Sequence, residues 1–249
     1  YFLDIQGRGT LQRAGSLPGA FSPGGANEVA NAMFRPGHIL TLSPTRAGAA
    51  TVDISRGEPK VTETEPGWGS RIWGVATVLA DGRVLVTGGS PNGTEDLTQA
   101  AYGADVWNPV TGEWTFGPRH RNARLYHGSA LLLPDARVLL AGGGIPGPLY
   151  NNNGEIYSPS YLFTSTGTPA PRPEITAAPT VVAPGSVMAV RTRAAGISRV
   201  TLVRAGAVTH SANIEQRFID LPFSADAAGT GLTARMPSRA TDTPPGFYM

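Results

Sequence analysis

DGRVLVTGGS (residues 81–90) and DARVLLAGGG (residues 135–144) carry one pattern twice: a turn, an apolar run of strand length, and a stop on small residues. A third version, PGHILTLSP, begins at residue 36, so the copies start at 36, 81 and 135. Short apolar runs bounded by glycine, proline and aspartate read as β-strands. Each copy is followed by a second strand pattern, ATVDIS (50–55), ADVWNP (104–109) and GEIYSP (154–159). Two of these lead to a third, PKVTET (59–64) and GEWTFGP (112–118). The second and third units are also preceded by an apolar strand, WGVATVLA (73–80) and HGSALLLP (127–134).

A unit of four short strands recurring at roughly 50 residues is the blade of a kelch-type β-propeller. One blade cannot cover both of its faces, so blades stack around an axis, and a closed ring takes about four or more. The repeats here are fewer, which predicts an incomplete ring. From residue 164 the texture changes. TSTGTPAPRPEIT (164–176) is a proline-rich connector, and the runs at 180–193, 197–211, 216–225 and 231–237 space short strands as a small sandwich does. The expectation is an all-β chain: propeller blades over 1–165, then an immunoglobulin-like β-sandwich over 166–249, truncated at its end. The opening YFLDIQGRGT has neither an initiating methionine nor the basic head and apolar centre of a signal peptide. Both ends read as cut, with the missing blades expected on a preceding segment or a companion chain.

Composition narrows the function. Charged residues are 15% and the net charge is +2, with no lysine or arginine run to follow a phosphate backbone. Cysteine is absent, which removes disulfides, thiolate metal sites and cysteine nucleophiles from these 249 residues. No run approaches the 18 apolar residues of a membrane span. HExxH, GxSxG and glycine-rich phosphate loops are missing.

The chain has four histidines. His127 follows Tyr126 in ARLYHGSALLLPDARVLL, at the start of the first strand of a unit, the strand that lines a propeller's central channel. Phenol and imidazole are both competent ligands for copper, iron or zinc. They equally suit a packing role, with the phenol satisfied and the imidazole on a loop carbonyl. His210 ends an apolar run in the second domain, and His38 and His120 read as solvated turn residues. NGT at 92–94 fits a glycosylation acceptor.

Taken together, RLYHGSALLLPDARVLLAGGG, NGEIYSPSYLF, PRPEIT, LVRAGAVTHSANIEQRFIDLPF and PPGFYM resemble the C-terminal half of the galactose oxidase and glyoxal oxidase family. The resemblance implies a mononuclear copper radical oxidase, acting on a primary alcohol or small aldehyde with O2 and releasing H2O2. It implies copper ligation by Tyr126, His127 and His210, with Tyr126 as the base that takes the substrate's hydroxyl proton. It also implies an exported protein, secreted, periplasmic or at the cell surface. The family's tyrosine–cysteine thioether radical cannot be built within this cysteine-free chain, and the substrate-facing arginine of galactose oxidase has no counterpart near 18–31. The alternative is a non-catalytic propeller that binds glycans or a surface partner and keeps a degenerate metal site.

Overall fold

The structure is a computed structural model that describes residues 1–21, 29–64, 69–93, 95–145, 147 and 149–249. Among these residues the architecture is all-β, with twenty-one strands and three single-turn 3-10 helices. A small hairpin, β1 (Phe2–Asp4) and β2 (Thr10–Gln12), precedes the repeats.

Each repeat unit is one antiparallel meander. The first holds β3 (Asn31–Arg35), β4 (His38–Leu42), β5 (Ala49–Asp53) and β6 (Lys60–Thr64). The second holds β7 (Val75–Val78), β8 (Val84–Thr87), β9 (Asp105–Trp107) and β10 (Trp114–Phe116). The third holds β11 (Gly128–Leu132), β12 (Val138–Gly142) and β13 (Gly154–Tyr157). β3 carries alternating burial, with Ala32 and Phe34 inward, but no second copy of its sequence marks it in advance.

The sheets stack through apolar faces. Ala32, Phe34 and Leu40 of the first blade pack on Val78, Val84 and Trp107 of the second, where the Phe34 and Trp107 rings meet edge to face at 5.0 Å. Val75, Leu85 and Val106 of the second pack on Ala130, Val138 and Leu140 of the third. Burying such a face is worth about 25 cal/mol per Å² of apolar surface, which is why one blade alone is not a stable object.

The remaining strands are β14 (Ile175–Ala177), β15 (Val187–Thr192), β16 (Val200–Val203), β17 (Ala207–Thr209), β18 (Ala212–Ile214), β19 (Phe218–Leu221), β20 (Phe223–Ala225) and β21 (Gly231–Arg235). Strands β14, β15, β21 and β20 form one sheet, β16 and β19 a second, around Met188, Val190, Ile219, Leu221, Leu232 and Ala234. Hairpin β17–β18 does not join them. It leaves its own sandwich and extends the first blade's sheet, β18 lying parallel to β3 with Ala212 opposite Asn31 and Asn213 opposite Ala32. Phe218 goes with it into the core between the first two blades, under the Arg199 guanidinium at 4.7 Å.

The repeat extends to buried charge. Arg71 bonds the Gly88 and Gly103 carbonyls and pairs with Asp105 at 2.7 Å. Arg124 bonds the Gly142 and Asn153 carbonyls and pairs with Glu155 at 2.9 Å. The two acids have opposite environments. Burial pushes the Asp105 carboxyl up to about 6 against the pull of Arg71, and its Oδ1 has no hydrogen-bond partner. Burial also acts upward on Glu155, but donors from the Arg121 amide, Asn122 and Arg124 outweigh it and hold the carboxyl at about 2. The glycine stops have a packing reason too. Gly88 sits at φ +68, and a Cβ there would lie 2.5 Å from the Arg124 carbonyl oxygen, so the entry to the third blade needs a glycine beside it.

Because Glu155 titrates below its ordinary value of 4.5, its stabilisation is complete above about pH 5 and fades as the pH falls toward 2. Glu155→Gln is expected to cost about 2 kcal/mol at pH 7, allowing for partial exposure, and less than half of that at pH 3, the remainder fading toward pH 2. Urea midpoints of the two proteins at both pH values test this, and an equal cost at both contradicts the assignment.

Candidate functional site

The turns that open the inner strands build the site. Before β7 the chain turns at residues 71–74, the Gly74 amide bonding the Arg71 carbonyl at 3.2 Å, with Trp73 at φ +66. Before β11 it turns at 125–128, the Gly128 amide bonding the Leu125 carbonyl at 2.8 Å, with His127 at φ +63. The third unit has one residue more between its arginine and this turn. Tyr126 therefore stands where Ile72 stands one blade earlier: Ile72 bonds Ser90, and the Tyr126 carbonyl accepts from the Gly144 amide at 2.8 Å. The left-handed backbone at His127 folds two successive side chains to one side, where a strand would send them to opposite faces. Their ring centroids are 3.8 Å apart.

His210 comes from the axial hairpin. β17 ends at Thr209 and β18 starts at Ala212, so His210 and Ser211 are a two-residue turn. Their φ values are +48 and +65, the combination of a type I′ turn, which ordinarily takes Asn-Gly. Holding non-glycine residues there costs on the order of 1 kcal/mol each, strain that is sustained where surrounding structure fixes the turn.

The structure brings all three sequence-predicted site residues together. His127 Nε2 and His210 Nε2 are 3.1 Å apart, and the Tyr126 ring centroid lies 5.8 Å from that of His210. His127 Nδ1 is 3.0 Å from the Ile145 carbonyl, an acceptor only, so that nitrogen donates, and in the neutral imidazole Nε2 keeps its lone pair. His210 Nδ1 is 2.6 Å from Thr209 Oγ1. Where the hydroxyl donates, His210 Nε2–H in turn donates to His127 Nε2; where it accepts, both Nε2 atoms are bare and face one another. Such a gap is relieved by a proton shared between the rings or by a cation that both bind. Two nitrogens about 2.0–2.1 Å from one metal at about a right angle lie about 2.9 Å apart, close to the gap found. A metal-bound imidazole typically gives its other N–H to a carbonyl, as His127 does. Nitrogen and phenol oxygen donors suit Cu(II). No group of three or more His, Cys, Asp or Glu side chains converges among the described residues, so a third protein ligand here would be the tyrosine.

The other two histidines differ from the solvated turn residues expected. His38 is the first residue of β4, 3.7 Å from Asp53. His120 is half-buried on the Tyr102 ring with Nδ1 on the Asn122 carbonyl, and burial lowers its pKa. Two neighbours of the site escaped sequence reading. The Trp73 indole lies 5.2 Å from the Tyr126 ring, and aligning the two turns would have flagged it. Burial pushes the Glu95 carboxyl up, opposed by the Tyr126 backbone amide and by His127; nothing local in GTED marks it. Thr94 of the NGT triplet, and residues 22–28 of the stretch lacking the family's arginine, lie outside the described residues.

Residues 172–249 match the family described as galactose oxidase-like, Early set domain. A galactose oxidase of Gibberella zeae is 33% identical over 219 residues, covering 85% of this chain and 30% of that protein. Over those residues the chain is similar to galactose oxidase. It is also 29% identical over 201 residues to the aldehyde oxidase GLOX of Vitis pseudoreticulata, covering 72% of this chain and 38% of that one. Among solved structures, a fungal alcohol oxidase of the AA5 family in complex with copper superposes with a TM-score of 0.89 at 28% identity. That match covers 99% of this chain and 55% of the other. The chain thus spans about a third of the curated relatives and about half of the solved one. The all-β architecture read from the sequence, blades followed by a sandwich, is the architecture of the structure.

If the type I′ turn is strained as its backbone indicates, Ser211→Gly stabilises the protein by up to about 1 kcal/mol. Chemical denaturation of both proteins measures the difference, and destabilisation would contradict strain at this position.

Proposed function

We propose that the protein is a copper-dependent oxidase of primary alcohols or small aldehydes, coupling RCH2OH + O2 → RCHO + H2O2 or the equivalent oxidation of an aldehyde hydrate. The observation that carries the reading is the pair of imidazole Nε2 atoms 3.1 Å apart beside a phenol, with both Nδ1 atoms already engaged. His127 and His210 would hold the copper, one from a blade and one from the axial hairpin, with Tyr126 as the third protein donor. Copper, when bound, supplies the redox partner for substrate and O2.

The chain's own residues supply binding and proton handling. As a phenolate, Tyr126 would be the base that takes the substrate's hydroxyl proton and becomes the neutral phenol, so that the carbon then losing hydrogen bears an alkoxide-like oxygen. Trp73 forms an apolar wall beside it. Both imidazoles are exposed, leaving the site open to a small substrate. The reaction removes two electrons, and the family's second oxidising equivalent resides on a tyrosine–cysteine thioether that these 249 cysteine-free residues do not contain. In this reading it comes from sequence outside this chain. Release of peroxide favours an exported protein. Among the described residues no helix is long and apolar enough to cross a membrane.

His127→Ala and His210→Ala should each abolish copper uptake, read by elemental analysis. In a longer protein that carries the tyrosine–cysteine pair, Tyr126→Phe should keep copper and lower peroxide production about a hundredfold or more on galactose, glycolaldehyde or methylglyoxal. Full copper content in both histidine variants overturns the metal site. Copper binding without peroxide from any of these substrates, in that longer protein, favours the non-catalytic glycan- or surface-binding alternative.

A further inference from the structure

The inner strands β3, β7 and β11 are all edge strands, each paired on one side only within its own blade. Their free edges face the hairpin segment 212–216, and buried edge amides and carbonyls need partners. The segment meets the three edges by three different devices. On the first blade β18 itself pairs with β3. On the second, the Gln216 carboxamide imitates a strand: its Oε1 accepts from the Val78 amide at 2.7 Å and its Nε2 donates to the Ala76 carbonyl at 3.2 Å. On the third, Asn213 Nδ2 donates to the Ala130 carbonyl at 3.3 Å. That carbonyl also receives Thr77 Oγ1 of the second blade at 3.2 Å, so one acceptor gathers two blades and the hairpin.

Both amide side chains are almost fully buried, at 3% exposure each, and Gln216 Nε2 also reaches the Asn213 carbonyl at 3.4 Å. Gly206 leaves the space that Asn213 Oδ1 occupies, and a Cβ there would collide with it. These contacts fix the hairpin along its own axis. A backbone pair alone fixes it against one blade, whereas the site lies between residues of the third blade and the hairpin tip.

The geometry points to Gln216 and Asn213 as positioning residues that set His210 against His127 and Tyr126. The inference rests on the copper-oxidase reading for its purpose, but the placement itself is independent of metal. Gln216 and Asn213 touch neither substrate nor imidazole; they act through the register of the hairpin.

Three variants test this in the whole protein: Gln216→Leu, Gln216→Glu, which keeps an acceptor for the Val78 amide, and Asn213→Ser, the mildest change. In metal-free protein, long-range 1H–15N spectra report each imidazole. The expected result is displaced His210 signals in Gln216→Leu, a smaller displacement in Gln216→Glu and Asn213→Ser, and unmoved His38 and His120. With copper added, Gln216→Leu should bind at least tenfold more weakly, and its EPR spectrum should lose the pattern of two equivalent nitrogens. If Gln216→Leu does not fold, the same measurements on the other two variants decide. Unmoved His210 signals, with lower melting temperature as the only change, overturn the positioning role and leave an ordinary core amide. If His127→Ala and His210→Ala bind copper normally, the copper reading fails, and the metal-free spectra alone judge the placement.

Discussion

Everything at this site depends on a strand edge finding a partner. A propeller's inner strands leave a row of amides and carbonyls pointing at the axis, and unpaired buried backbone groups are costly. Here the hairpin 207–214 and the amide side chains just beyond it supply those partners, and the same segment delivers an imidazole at its tip. Satisfying the backbone and assembling the site are therefore one event. A change that loosens the axial hydrogen bonds moves His210 as well.

The site is also a local departure from the repeat. Arg71 and Arg124 bond the equivalent glycine carbonyls and pair with acids at equivalent positions, so the second and third blades share a scaffold down to buried charges. One added residue before the turn of the third blade puts Tyr126 and His127 where the second blade has Ile72 and Trp73. Left-handed conformations at His127, His210 and Ser211 all fall within the site, the one at His127 repeating that of Trp73 one blade earlier. Strain gathered at one spot by segments far apart in sequence belongs with a geometric requirement there.

Much of this was legible in the residues. The strands of the repeats follow from apolar runs between turn formers, and β7 to β13 fall inside the segments read as strands because local sequence decides them. Tyr126, His127 and His210 were legible through the family resemblance, and their convergence is visible in the structure. Strand β3 was not legible, since its unit begins without the apolar run that opens the other two. Nor was the parallel pairing of β18 with β3, which joins residues about 180 apart and leaves no periodic signature. Trp73 and Glu95 reach the site by turn geometry and by loop packing, neither of which hydropathy encodes. His120 is held by the Tyr102 ring, a contact made in space and not in its own turn.

The most direct test of the central claim is a copper-soaked crystal measured at the copper absorption edge. The account predicts one anomalous peak within coordination distance of both Nε2 atoms, His127 and His210, with the Tyr126 oxygen beside it. No peak there, or a peak held by one of the two imidazoles while the other turns away, would contradict it.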